Sequence, residues 1–182
     1  MIATSRTKLA ALPWLLLLVG LVSCLRQGDG EDPRAAILTS HGEDVIVPSY
    51  EAFASKSEAL EVASASFCQG TPDETKFLAA RVAWKEARYA WKRTEVFAFG
   101  PYAEFPERLG PKIDFWPARV ENIEDILLSL DDVSASSLEN SGTSVRGLPV
   151  IEYLLWFDGE ETLARYGEST RYCDYLTAAT ED

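Results

Sequence analysis

The sequence predicts an all-α fold, an antiparallel helical bundle with one long crossover loop that is rich in Pro, Gly and aromatic residues. Apolar residues recur at helical spacing in several segments, and Pro and Gly stand at the ends of those segments. There is no alternating strand pattern and no internal repeat in the sequence. A chain of 182 residues is long enough for one domain.

The chain is acidic, because 17 Lys and Arg residues stand against 29 Asp and Glu residues and give a formal net charge of −12. Hydrophobic residues make up 47% and charged residues 25%, which excludes a disordered tail, a collagen-like fibre and a polytopic membrane protein. A surface this negative repels phosphate backbones, so we expect no nucleic-acid partner. The acidity suits cations, but it is also an ordinary way for a protein to stay soluble.

Residues 1–23 have the features of a lipoprotein signal peptide. Two basic residues, Arg6 and Lys8, precede an apolar run from Leu9 to Val22 that is shorter than the roughly 20 residues of a membrane-spanning helix. The run ends in Leu-Val-Ser-Cys24, which resembles a bacterial lipobox, where the cysteine receives lipid after cleavage. The alternative is an uncleaved anchor or an ordinary secretory peptide.

Residues 24–44 are predicted to form a flexible tether, since they contain glycines, a proline and several acids without amphipathic periodicity. Leu25 follows Cys24, which resembles the sorting signal of outer-membrane rather than inner-membrane lipoproteins. We therefore expect a lipid anchor on the periplasmic side of the outer membrane. The chain's one histidine, His41, lies in this segment, and we interpret it as a solvated linker residue.

The body of the chain, residues 45–182, is predicted to be helical. The first helix begins near Pro48 and ends at Phe67, and the second runs to about residue 99, with Thr71 as its N-cap and Glu74 completing a capping box. One face of the second helix carries aromatic residues seven apart: Phe77, Trp84 and Trp91. The crossover loop, 101–117, follows.

Three more helices are predicted, at about 117–130, 149–157 and 169–179, with a polar loop at 131–144. If Cys24 is lipidated, Cys68 and Cys173 remain as an even pair in an oxidising compartment. We expect a disulfide between them, and two buried free thiols are the alternative.

Two segments carry the candidate chemistry. Asp114 in the crossover loop and Arg119 just after it are close enough in sequence to pair at a helix start, which would either fix the loop or contribute to a site. In the helix at 149–157, Glu152 is the only acid among apolar residues, and an unpaired buried carboxylate is costly. We expect it to be protonated, paired with an arginine such as Arg146, or bound to a cation.

A third feature is a polar seam on the second helix, formed by Arg81, Arg88 and Glu95, which are seven residues apart beside the tryptophans. We expect the seam to run along the bundle and meet Glu152. The alternative is an ordinary solvated helix face.

Together these segments resemble the imelysin family of bacterial envelope proteins, over about residues 43–182. The resemblance rests on several motifs in the family's order: Val45-Ile46-Val47-Pro48-Ser49-Tyr50, Phe67-Cys68, Ala83-Trp84 with Trp91 and Phe97-Ala98-Phe99-Gly100-Pro101, Ile113-Asp114-Phe115-Trp116-Pro117, and Arg146-Gly147-Leu148-Pro149-Val150-Ile151-Glu152-Tyr153-Leu154-Leu155. It implies a fold of two joined helical bundles, of which residues 45–182 look like the first, the N-terminal half.

The resemblance also implies a metal site, because the family's signature is G-x-H-x-x-E. Here Gly147 and Glu152 match, but Pro149 stands at the histidine position and proline cannot ligate a metal. Oxygen ligands alone can still hold a hard cation such as iron.

We therefore expect a non-catalytic component of iron or other metal acquisition, working beside other envelope proteins, with Glu152, Asp114 and Arg119 lining a ligand cleft. The alternatives are a structural or partner-binding lipoprotein and, as the family name implies, a metallopeptidase.

Overall fold

A computed structural model describes residues 32–129, 132–157 and 161–181, and all regular elements within these ranges are helical. The predicted all-α class is therefore confirmed. The helices are α1 (Pro33–His41), α2 (Val47–Phe67), α3 (Glu74–Thr94), α4 (Leu109–Ile113), α5 (Val120–Leu128), α6 (Ala135–Glu139), α7 (Leu148–Trp156), α8 (Thr162–Glu168) and α9 (Arg171–Glu181). A π-helical turn, Gly42–Ile46, precedes α2, and 3₁₀ turns lie at Glu95–Phe97, Gly100–Tyr102 and Thr143–Val145. Among the described helices, none combines the length and apolarity needed to cross a bilayer.

Helix α1 corrects part of the predicted tether, because residues 33–44 are helical rather than an irregular spacer. The Asp32 carboxylate accepts a hydrogen bond from the Arg34 N–H at 3.0 Å, and Pro33 fits a first helical turn. All residues of α1 are exposed, His41 included. The signal segment 1–23 and the predicted lipid-bearing Cys24 lie outside the described residues.

Helices α2 and α3 form an antiparallel hairpin. Near its turn the rings of Phe67 and Phe77 lie 5.1 Å apart between centroids, and at its open end the rings of Phe53 and Trp91 lie 4.9 Å apart. The predicted aromatic face of α3 is buried, with Phe77, Trp84 and Trp91 4%, 7% and 1% exposed. Burying side chains of this size contributes about 1.5–3 kcal/mol each to folding.

Both ends of α3 differ from the prediction. The N-cap is Asp73 rather than Thr71: its carboxylate accepts from the Lys76 N–H at 2.9 Å, so the helix begins at Glu74. The helix ends at Thr94 rather than near Phe99, because a 3₁₀ turn follows directly.

Helices α7 and α9 complete the core. Most of α7 is buried, including Leu154 and Leu155 at 0% exposure. Tyr175 of α9 is also fully buried, and its hydroxyl donates to the Val145 carbonyl at 2.8 Å. The predicted disulfide between Cys68 and Cys173 is present and ties the C-terminal end of α2 to α9, with Cα atoms 5.4 Å apart.

Candidate functional site

The two segments that carry the candidate chemistry pack against each other, backbone to backbone. Gly147, just before α7, has a φ of +78°, and a Cβ atom there would lie 2.4 Å from the Ile113 carbonyl oxygen and 2.7 Å from that of Lys112. Only glycine permits both this conformation and this approach. The buried Trp84 indole also donates to the Leu148 carbonyl at 2.9 Å. We call the contact of Lys112 and Ile113 with Gly147 the joint.

Asp114 secures the joint to α3. Its side chain is 3% exposed and pairs with Arg88 and with Lys92, the latter at 2.8 Å between Nζ and Oδ2. The predicted pairing with Arg119 is wrong: Arg119 is exposed, and its backbone N–H donates to the Ser144 carbonyl at 3.4 Å. Lys92 was missed by sequence reasoning, although its position one helical turn after Arg88 places both cations on one face of α3.

These contacts set the ionisation of Asp114. Burial alone would raise the pKa of its carboxyl group, but hydrogen bonds and charge from Lys92 and Arg88 outweigh burial and lower it. The folded-state pKa of Asp114 lies below the unfolded-state value of about 3.9. At a pH above this unfolded-state value, the pairing therefore contributes its full stabilisation. The contribution is lost as the pH falls through the folded-state pKa.

Glu152 is half-buried on α7, on the side of the helix that the core does not enclose. Within the described part of the chain its carboxylate makes no hydrogen bond and no ion pair. Arg146, its expected alternative partner, instead donates to the Glu139 carbonyl at 3.1 Å. Among the described residues, Glu152 is therefore a carboxylate without a partner rather than a fully buried one.

The predicted polar seam is not continuous. Arg81 donates to the Leu155 carbonyl at 2.9 Å, Arg88 binds Asp114, and Glu95 accepts from Lys92 at 2.6 Å. The seam therefore does not meet Glu152, and the expectation that it would is wrong. Arg88 and Glu95 are linked through Asp114 and Lys92, whereas Arg81 bonds to the backbone of α7 instead.

A cavity of about 310 Å³ lies beside the joint and is lined partly by Lys112, Arg146, Gly147 and Ile151. Glu152 is not part of its lining. The structure thus brings Asp114 and Gly147 to one place and leaves Glu152 and Arg119 outside it.

Comparison with known proteins identifies the family. The family model described as imelysin, peptidase M75, matches residues 46–182, which is most of the chain. The chain belongs to the imelysin family.

Two longer proteins are similar to this chain over part of their length. The chain is 34% identical over 122 residues to iron-regulated protein A of Synechococcus elongatus, which covers 67% of this chain and 32% of that protein. It also resembles the crystal structure of an imelysin-like protein from Psychrobacter arcticum 273-4, with a TM-score of 0.68 and 22% identity. That match covers 80% of this chain and 45% of the other, so the chain spans less than half of either relative.

The residues at the signature and candidate-site positions do not fit a resident metal centre. Pro149, at the histidine position of the signature, is buried to less than 2% exposure and offers no ligand atom. In the described ranges no group of three or more His, Cys, Asp or Glu side chains is arranged to hold a metal ion. Asp114 is already engaged by two cations, which leaves Glu152 as the available oxygen ligand of the predicted set.

Proposed function

We propose that this imelysin-family chain is an envelope-anchored, non-catalytic component of iron acquisition and that Glu152 binds its iron-containing ligand. The name of the Synechococcus relative, iron-regulated protein A, supports the link to iron. The ligand is cargo rather than a resident cofactor.

The observation that supports this proposal is that the Glu152 side chain is half-buried and has no partner among the described residues. Such a carboxylate is a hard oxygen ligand that a metal ion can reach from the uncovered side of α7. One carboxylate cannot fill the coordination shell of a metal ion. The ligand we propose is therefore an iron chelate, which brings most of its own ligand atoms and needs the protein to supply one more.

Hydrolysis of peptides is not part of this proposal. Gly147 and Glu152 keep two positions of the imelysin signature, but Pro149 cannot coordinate or transfer a proton. In addition, a close packing role already explains Gly147, since the joint requires a glycine there.

The anchoring part of the proposal depends on Cys24. Lipid on this cysteine would hold the domain at the periplasmic side of the outer membrane, where an iron chelate and other metal-uptake proteins would be within reach. The acidic chain favours cationic rather than nucleic-acid partners.

A calorimetric titration of the full chain with ferric nitrilotriacetate, a chelate whose ligand charge balances that of ferric iron and which leaves coordination positions open, tests the proposal. We expect saturable binding in the wild type and at least a tenfold weaker affinity in Glu152→Gln, because the amide keeps the shape but loses the charge. The matched control is Glu121→Gln, an exposed acid on α5, which should bind as the wild type does. Circular dichroism spectra of both variants should match that of the wild type. Equal binding by both variants, or no binding by the wild type, would refute the role of Glu152.

A second candidate function is a structural or partner-binding lipoprotein. It is favoured by the ion pairs of Asp114 with Arg88 and Lys92, which are occupied in fixing the crossover loop to α3. Under this alternative the titration shows no binding, while Glu152→Gln leaves both stability and metal content unchanged.

A further inference from the structure

A second cavity, of about 470 Å³, lies between α2, the C-terminal end of α3 and the crossover loop. Its volume is within the range of small-molecule sites, about 300–1,000 Å³. Six aromatic residues line it: Tyr50, Phe53, Trp91, Phe97, Phe99 and Tyr102. None of the lining residues that the structure describes carries a charge, and Glu152 is not among them. The cavity is therefore independent of the proposed iron-chelate site.

The walls of this aromatic cavity are preorganised. The rings of Trp91 and Tyr102 stack with centroids 5.3 Å apart and planes 11° apart. A Cβ atom on Gly110 would lie 2.5 Å from the Tyr102 ring, so the glycine lets α4 pack directly against that ring. A site whose walls are already ordered loses little conformational entropy when a ligand enters.

Two of the lining residues, Tyr50 and Tyr102, carry hydroxyl groups. Neither hydroxyl group makes a hydrogen bond with any residue that the structure describes. Burial and the nearby carboxylates of Glu95 and Asp114 raise the pKa of Tyr102, so its hydroxyl remains a donor at neutral pH. Donors beside an apolar surface favour a ligand that presents acceptor atoms at its edge.

We propose that the aromatic cavity binds a flat, uncharged aromatic molecule that carries acceptor oxygen atoms at its edge. Aromatic walls favour an aromatic ligand over an acyl chain, because offset and edge-to-face ring contacts add about 0.5–1.5 kcal/mol beyond area burial. Phe99 and Leu109, which line the cavity, are 61% and 41% exposed and form an apolar rim that a ligand meets first.

Equilibrium dialysis of the full chain with 7-methoxycoumarin tests this proposal, since the probe is flat, uncharged and rich in acceptor oxygens. We expect one saturable site in the wild type. Ala54→Trp, which fills the cavity from an exposed position of α2, should weaken binding by about tenfold or more. Ala59→Trp, an exposed alanine on the same helix that is not part of the lining, should change it by less than about twofold. If Ala54→Trp does not fold, Phe99→Ala at the rim replaces it and should also weaken binding.

Two comparison ligands separate the chemical classes. Naphthalene, a flat ring system without acceptor oxygens, should bind more weakly than the coumarin, and Tyr50→Phe with Tyr102→Phe should abolish that difference. Laurate should not displace the probe. Displacement by laurate would indicate an acyl-chain site and overturn the proposal, as would equal effects of the two tryptophan variants or the absence of a saturable site.

Discussion

The joint makes one substitution unusually informative, Gly147→Ala. Gly147 has φ +78° and ψ −173°, a backbone region that is essentially restricted to glycine and costs another residue about 1–3 kcal/mol. The added Cβ would also lie 2.4 Å and 2.7 Å from two carbonyl oxygens of the crossover loop. Relieving such a contact in a packed structure costs about 1–3 kcal/mol more. We expect a total loss of about 4 kcal/mol in the free energy of unfolding.

Urea denaturation followed by circular dichroism measures this loss, and Gly142→Ala is its control. Gly142 has φ +94° and ψ +159°, in the same region of backbone space, but a Cβ atom there would have none of the described atoms within 4 Å beyond its chain neighbours. The control should lose the backbone contribution alone, so the difference between the variants isolates the close approach at the joint. If Gly147→Ala is no more destabilising than Gly142→Ala, the two segments do not pack as described.

Three further changes test other parts of the structure. Asp114→Asn should lower the free energy of unfolding in urea by about 1.5–3 kcal/mol at pH 7, and this loss should shrink below about pH 4; an equal loss at pH 3 would contradict the ion pairing. Replacing both Cys68 and Cys173 by Ser should lower the free energy of unfolding by about 2–4 kcal/mol. The melting temperature of this variant should no longer respond to reductant, and a remaining response would show that the Cys68–Cys173 disulfide is not what reductant acts on. Cys24→Ser should abolish palmitate labelling and release the protein from the membrane fraction, and a variant that is still labelled would exclude Cys24 as the lipid site.

The helices with strong apolar periodicity could be predicted, and those formed through tertiary contacts could not. Helices α3 and α5 have clear apolar faces in the sequence, whereas α2 was predicted from Pro48 at its start and Gly70 beyond its end. Helix α8 was missed because Gly167 weakens its helical propensity. Contact with the core stabilises it instead: Tyr166 is 6% exposed, and its hydroxyl donates to the Leu154 carbonyl at 3.0 Å.

The partners of the candidate site residues likewise could not be predicted from the sequence. Sequence reasoning located Asp114 and Glu152 as unusual carboxylates, but it paired Asp114 with a near neighbour in sequence. Its partner Arg88 lies 26 residues earlier, on a helix that only the folded chain brings alongside. The burial of Glu152 was overestimated because an apolar helix composition does not reveal which side of the helix the core leaves uncovered.

The most direct test of the proposed function is the iron content of the full chain after equilibration with excess ferric nitrilotriacetate and gel filtration, measured by mass spectrometry. The proposal predicts close to one iron atom per chain in the wild type and in Glu121→Gln, and nearly none in Glu152→Gln. Iron retained equally by all three proteins, or by none of them, would contradict ligand binding through Glu152.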